Sequence, residues 1–414
     1  MTLPTIISKA DRSGGGASKC ADLLAGGLGE VGYPVNFLRM YDSQLPNPLG
    51  DLAIQNRISR RIVNGIHKAS RRYLGGEWLP LEIPFLKHNM INGGIVHFYD
   101  TWTAISPFSW LWSARQRPTV ITFQDCSAFT GGCMYPHPCR RFERDCGMCP
   151  QQDSLGMPID VTSYSQRLRR KVMAGLKADI VTPSAWMRDM AQASGVFPQC
   201  NFHVIPNPVD TSVFHRDGRK ASRKVLDIDP TRKTVLIGAE SVDDPRKGVR
   251  LAIQSINALP EEINPLVLCV GRNTGFLTER LKFPVHSFGF VSDQEQLAEI
   301  YRAADVFLFC SRVDNSPLSV IESMACGTPV IADPTGGTGE LIDHGFNGWH
   351  VTGRSPENFA CCIREALSCG RDLHKVGNRA SETAFARNRL DLVAQAHVKL
   401  YNLLLCNSHA DPKL

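Results

Sequence analysis

Short β-branched runs alternate with helical stretches along nearly the whole of this chain, the pattern of parallel sheets whose crossovers are helices. In the first half, strands are predicted at Thr5–Ser8, Val35–Arg39, Gly94–Tyr99, Thr119–Phe123, Asp179–Thr182 and His203–Ile205. The second half repeats the scheme at Thr234–Gly238, Leu266–Val270, Val285–Phe288, Val306–Cys310 and Pro329–Ala332. Between the two series lies Ile205-Pro-Asn-Pro-Val209, a joint stiffened by its prolines. A periodic helix around Leu390–Leu405 ends the pattern and is long enough to cross back to the first series. The expected architecture is α/β: two doubly wound, Rossmann-like domains (1–205 and 206–385) facing across a cleft, with 386–414 as the returning helix. In such sheets ligands bind outside the carboxyl ends of the strands.

At 414 residues the chain exceeds one ordinary core, in keeping with two domains of about 200 residues each. With 43% hydrophobic and 21% charged residues it reads as an ordinary globular protein. The formal charge of +6 favours anionic ligands such as phosphates or lipid headgroups and does not suggest a nucleic-acid binder. No signal-peptide pattern opens the sequence and no apolar run approaches about 18 residues, so a cytoplasmic protein is expected. Fourteen cysteines without an export signal point to reduced thiols or a metal site rather than a disulfide framework.

Two suggestive patterns are set aside. Gly27-Leu-Gly29-Glu-Val-Gly32 has dinucleotide-type glycine spacing, but it follows a helix and precedes a strand, the reverse of the order that chemistry needs. A helix C-cap accounts for it. The carboxylate pair Asp227-Ile-Asp229 sits in a polar turn before a strand and reads as solvated turn residues.

The densest chemical signal is Cys310-Ser-Arg-Val-Asp-Asn-Ser-Pro-Leu-Ser-Val-Ile-Glu322. An apolar strand empties into a short polar loop, and a helix is predicted with Ser316 as N-cap and Pro317 in its first turn. The backbone amides near Leu318 and Ser319 would then be donors at a positive helix end, suited to a diphosphate together with Asn315 and Ser316. Asp314 lies in the loop and Glu322 about one turn into the helix, so the two carboxylates can grip separate groups of hydroxyls on either side of the phosphates.

This pattern resembles that of the family 4 retaining glycosyltransferases of GT-B fold, whose motif is two acidic residues separated by seven. Here it continues through Glu322-Ser-Met-Ala-Cys-Gly-Thr-Pro-Val-Ile-Ala332 and Gly336-Gly-Thr-Gly-Glu340. The resemblance extends to Gly14-Gly-Gly-Ala-Ser18, the joint Ile205–Phe214, Arg246-Lys-Gly248 and Gly289-Phe-Val291. Asp314 stands where a glutamate is more usual. The resemblance implies a nucleotide-diphosphate sugar as donor, bound by 206–385, and a glycan, lipid-linked or small-molecule acceptor on the 1–205 side, as in polysaccharide biosynthesis. It implies that Glu322 binds the ribose, Asp314 the sugar hydroxyls, and the backbone at Phe290 and Val291 the base. Arg246 and Lys247 would neutralise the leaving diphosphate, which also follows from the charge that develops when a glycosyl–phosphate bond breaks. No catalytic metal is then expected. Gly15 and Gly16 would allow close approach to the donor. Gln124 can hydrogen-bond a sugar hydroxyl but cannot titrate, while Asp125 is a candidate for contact with the acceptor or sugar. The alternatives are an epimerase-like enzyme of the same fold and a catalytically silent nucleotide-sugar binder.

Two further features stand apart. Cys133, Cys139, Cys146 and Cys149 fall within seventeen residues and end in C-x-x-C, a spacing that suits tetrahedral sulfur ligation of a structural zinc in a loop otherwise lacking an apolar core. A subset of the resembled family carries a similar cysteine-rich loop. The helix predicted over Ile54–Arg72 carries Ile54, Ile58, Ile62 and Ile66 on one stripe among basic residues; such a stripe ordinarily packs on its own domain, while the resemblance, through members acting on lipid-linked acceptors, implies peripheral contact with an inner membrane face.

Overall fold

The computed structural model describes residues 3–10, 15–41, 94–99, 107–153, 160–242 and 244–410. The helix expected over Ile54–Arg72 lies outside the described residues. The chain divides into two compact units, Met1–Pro206 with Asp391–Leu414, and Asn207–Leu390.

The first unit holds strands β1 (Thr5–Ala10), β2 (Asn36–Tyr41), β3 (Val96–Tyr99), β4 (Thr119–Thr122), β5 (Asp179–Thr182) and β6 (Asn201–Val204). They pair in parallel in the order β2-β1-β3-β4-β5-β6. Strands β3, β4 and β5 are buried along their length, as a parallel sheet covered on both faces requires. Helix α1 (Gly16–Glu30) follows β1, α2 (Pro107–Gln116) precedes β4 and α3 (Thr162–Met173) precedes β5. Gly27 and Gly29 lie inside the last turns of α1. Gly32, at φ 76°, ends it, with its N–H donating to the carbonyl of Gly29.

The second unit repeats the plan with β7 (Thr234–Ser241), β8 (Leu266–Arg272), β9 (Val285–Gly289), β10 (Val306–Phe309), β11 (Val330–Ala332) and β12 (Gly348–His350). The order is β12-β11-β10-β7-β8-β9, again all parallel. The three-residue β12 has no β-branched run and escapes the sequence pattern. It is held by pairing with β11, where Gly348 passes so close to Val330 that a Cβ would meet its carbonyl at 2.6 Å. Helices α4 (Val249–Asn257), α5 (Gln294–Ala303) and α6 (Leu318–Ala325) cover the sheet. Val320 to Ala325 are all buried, so α6 is apolar nearly all round except for Glu322 and Ser323.

A last helix, α7 (Leu390–Ala410), belongs almost wholly to the first unit. Its His397 and Tyr401 are buried against β3. His97 Nδ1 lies 2.7 Å from the Tyr401 hydroxyl and His97 Nε2 lies 2.7 Å from Thr122 Oγ1. Burial lowers the pKa of both histidines, that of His397 to about 4. His97 is thus a structural residue within this unit. Among the described residues no helix is long and apolar enough to cross a membrane.

Candidate functional site

In the second unit the strand order reverses between β7 and β10, the place where an open parallel sheet leaves a crevice at its carboxyl edge. Two loops leave that edge side by side. After β7 the chain reaches Asp244, whose side chain accepts from the Arg246 N–H at 2.9 Å and so starts the short turn Pro245–Lys247. After β10 it runs through Cys310–Asp314 to α6. The loops are stapled together: the Arg312 N–H donates to the Arg246 carbonyl at 2.8 Å. Gly248, at φ 68°, lies so near Cys310 that a Cβ would meet its carbonyl oxygen at 1.8 Å. Arg354 adds a clamp, donating to the carbonyls of Cys310 and Ser311 and pairing with Asp333.

This framework brings Arg246, Lys247 and Asp314 to one point. Asp314, almost wholly buried, accepts from Arg246 Nη1 at 2.9 Å, Lys247 Nζ at 3.0 Å and Ser311 Oγ at 2.7 Å. Its own carbonyl accepts from the Gly337 N–H at 3.0 Å and is crowded by Gly336, where a Cβ would come within 2.2 Å. A buried carboxylate is tolerated because paired cations and a hydroxyl replace its hydration.

Helix α6 begins one residue later than predicted. Pro317 occupies the N-cap position and no side chain caps the helix, whereas the Ser316 hydroxyl is buried with no partner among the described residues. The sequence places Ser316 well for capping, but its carbonyl is drawn instead to Asn207 Nδ2 at 3.1 Å, which turns the backbone away. Leu318 and Ser319 open the helix, and Asn315 and Glu322 are buried beside it. Tyr301 stands next to Glu322, and its phenol pKa is pushed up first by burial and then by that carboxylate. Farther along the sheet edge Phe290 is 47% exposed after β9, and the Arg272 guanidinium lies 3.8 Å from its ring centroid. Val291 is partly buried against the core of the second unit.

Sequence reasoning did not single out Asn207, Asp244, Ser311 or Arg354. Ser311 and Asn207 lie within quoted segments and Asp244 lies two residues before Arg246, but only Arg354 comes to the site from a position nothing local marks.

In the first unit, Gly15 takes φ 94° as the N-cap of α1 and Gly16 is its first residue, a conformation that favours glycine. Gln124 follows β4 and donates to the Tyr99 hydroxyl at 3.1 Å. Asp125 accepts from Ser127 N–H at 2.8 Å and from Ser127 Oγ, closing its own turn. Asp229 does the same with Thr231, the solvated-turn role expected for it.

The four loop cysteines come near one another: Cys133, Cys139, Cys146 and Cys149 line one hollow. Burial, with repulsion from the neighbouring sulfurs, pushes Cys133 up to about 12 and Cys146 up to about 11. Among the described residues, however, no group of three or more His, Cys, Asp or Glu stands ready to hold a metal ion. The expectation of a loop lacking an apolar core is corrected: the loop has its own core. Phe129 and Phe142 are buried in the main cluster of the unit. Gln166 and Arg169 from α3 donate to the carbonyls of Phe142 and Thr130, and Arg141 holds those of Gly147 and Met148.

Parallel α/β sheets with cations and a helix end gathered at a switch point define a class of proteins that bind phosphorylated ligands. The fold is GT-B. Sucrose-phosphate synthase from Thermosynechococcus elongatus superposes with a TM-score of 0.70 at 18% identity, covering 98% of this chain and 100% of that one. HepE from Anabaena in complex with UDP-glucose gives 0.62 at 16% identity, covering 97% and 100%. Residues 218–383, within the second unit, match the family described as "Glycosyl transferases group 1". Among curated relatives, the D-inositol 3-phosphate glycosyltransferase of Geodermatophilus obscurus is 31% identical over 212 residues, 45% of this chain and 44% of the relative. The N-acetyl-alpha-D-glucosaminyl L-malate synthase of Bacillus anthracis is 24% identical over 254 residues, 59% of this chain and 65% of the relative. The chain spans about half the length of these curated relatives.

Proposed function

We propose that this chain is a retaining glycosyltransferase that moves a sugar from a nucleotide diphosphate onto a glycan, lipid-linked or small-molecule acceptor. The observation that carries this reading is the convergence of Arg246, Lys247 and Asp314 at the β7–β10 switch point of a glycosyl transferases group 1 domain. As the glycosyl–phosphate bond breaks, negative charge builds on the phosphate oxygens. Two cations fixed beforehand near the start of α6 meet that charge without reorganising, so no catalytic metal is needed. Asn315, Ser316 and the amides of Leu318 and Ser319 bind the diphosphate, Glu322 takes the ribose and the backbone at Phe290 and Val291 reads the base. A carboxylate has about four lone-pair sites. Asp314 uses three of them on Arg246, Lys247 and Ser311, which leaves one for a sugar hydroxyl.

Gly15, Gly16 and Gln124 supply contacts to the sugar from the first unit. Asp125 is left out, because its carboxylate closes a turn. The leaving phosphate takes the acceptor's proton on the same face of the sugar, which preserves the anomeric configuration. Relatives named as sugar transferases and a structural neighbour in complex with UDP-glucose make uridine nucleotide sugars the first donors to try. Nucleotide release is to be assayed across a panel of nucleotide sugars and acceptors, with NMR of the product. Transfer with retention, undiminished by chelators, is expected. An inverted product, or no turnover with any donor that binds, would refute the reading.

We propose separately that the cysteine hollow closes on one structural zinc. The gathering of four thiols around a single hollow supports this, although closure must still draw the sulfurs together. Elemental analysis of protein purified under reducing conditions without chelators should find about one zinc per chain. Metal-free protein with full activity would show that the thiols serve something else.

A further inference from the structure

Arg246 and Lys247 of the proposed diphosphate site are paired with two carboxylates before any ligand arrives. Asp314 and Asp244 are the two anions, and they are held very differently. Asp314 has three side-chain partners, a side chain 8% exposed and a backbone wedged against Gly336. Asp244 has a side chain 37% exposed, and its Oδ2 reaches Arg246 Nη2 at 3.4 Å, too long for a strong charge-assisted bond. The other Asp244 oxygen, Oδ1, is occupied by the Arg246 N–H. Arg246 therefore lies between a fixed counter-ion on its buried side and a loosely held one on its exposed side.

We propose that Asp244 is an exchangeable counter-ion, a positioning residue that holds the Arg246 guanidinium while the site is empty and yields it to the diphosphate of the nucleotide. This rests on the reading of Arg246 as a diphosphate ligand. The exchange follows from cost. Releasing an exposed ion pair costs little, since water takes over both charges. Freeing Asp314 would strand a buried carboxylate, which is far dearer. When the nucleoside diphosphate departs, Asp244 recaptures the same guanidinium, so the outgoing product competes with an anion already tethered next to the site. The tether also keeps the arginine in place between turnovers.

The test uses Asp244→Asn and Asp244→Ser, both of which keep an oxygen to cap the Pro245–Lys247 turn while removing the charge. The probes are inorganic pyrophosphate and UDP, titrated calorimetrically into the full chain, with Arg246→Ala as reference. Both variants should bind the probes about three- to ten-fold more tightly than wild type at low salt, with the gain shrinking towards none at about 0.5 M salt as the charges are screened. UDP should dissociate more slowly, lowering kcat and KM together, and Asp244→Glu should restore wild-type behaviour. Equal or weaker binding by both variants, with Arg246→Ala weakened as expected, would overturn the exchange and leave the diphosphate site standing. If Arg246→Ala binds the probes as well as wild type, the diphosphate reading itself fails and this inference with it.

Discussion

Replacing His397 with leucine should make the first unit less sensitive to acid. His397 is 2% exposed on α7, stacked at 5.7 Å on His97, with its Nδ1–H donating to the Val393 carbonyl at 2.9 Å. Its Nε2 is buried with no partner among the described residues, so the imidazolium form would carry a proton with nowhere to place it. Burial lowers its pKa from 6.5 to about 4, which corresponds to roughly 3 kcal/mol in favour of the neutral folded form. Because the folded value is the lower one, the unfolded chain binds the proton first. Stability is complete above pH 6.5 and is lost as the pH falls towards 4, with about 2 kcal/mol of the loss between pH 7 and pH 5. His97, lowered by its own burial and by His397, adds to this in the wild type. Hydrogen exchange of peptides from β3 and α7, followed with urea at pH 7 and pH 5, isolates this unit from the other. His397→Leu removes a titrating group and an unpaired nitrogen at similar volume, and it should lose about 2 kcal/mol less on acidification. Identical pH dependence in wild type and variant would refute the argument.

The other predictions concern the second unit. Glu322→Ala should weaken binding of the cognate nucleotide sugar by about ten- to a hundred-fold, the usual loss for a hydrogen bond to a charged group. Unchanged affinity by calorimetry in a folded variant would remove Glu322 from the ribose. Arg246→Ala and Lys247→Ala should depress kcat more than they raise KM, since their charge matters most as the phosphate leaves. Wild-type kcat in both, with altered KM alone, would show the assignment to be wrong. Gly336→Ala should lower both the melting temperature and donor binding, because at φ 63° its Cβ would come within 2.2 Å of the Asp314 carbonyl oxygen. A variant with wild-type melting and binding would show that this close approach is not needed.

How much was legible in the sequence follows from which forces are local. Parallel strands buried on both faces must be continuous apolar runs, so β3, β4, β5, β10 and β11 stand out for that reason, while the edge strands β6 and β9 show as β-branched or aromatic residues between turns. β12 does not, since three residues acquire strand geometry from pairing with β11 alone. The carboxylates Asp314 and Glu322 were visible because their spacing is set by one loop and one helix. Their surroundings were not visible. The sequence could not show that Asp314 is also held by Arg246 and Lys247, nearly seventy residues upstream. Ser316 has the chemistry of an N-cap, yet a hydrogen bond from Asn207, 109 residues away, decides its backbone course. The cysteine spacing suggested a metal knuckle, and in the fold the four cysteines line one hollow. The spacing could not reveal that Phe129, Phe142 and the donors of α3 already give the loop a core. The sequence by itself determined the alternation of strands and helices and the residue types available at each strand end, because periodicity and turn chemistry act over a few residues. Only the tertiary structure decided which charges meet and which of them are buried, because ion pairing depends on distances across the sheet edge that no local pattern encodes.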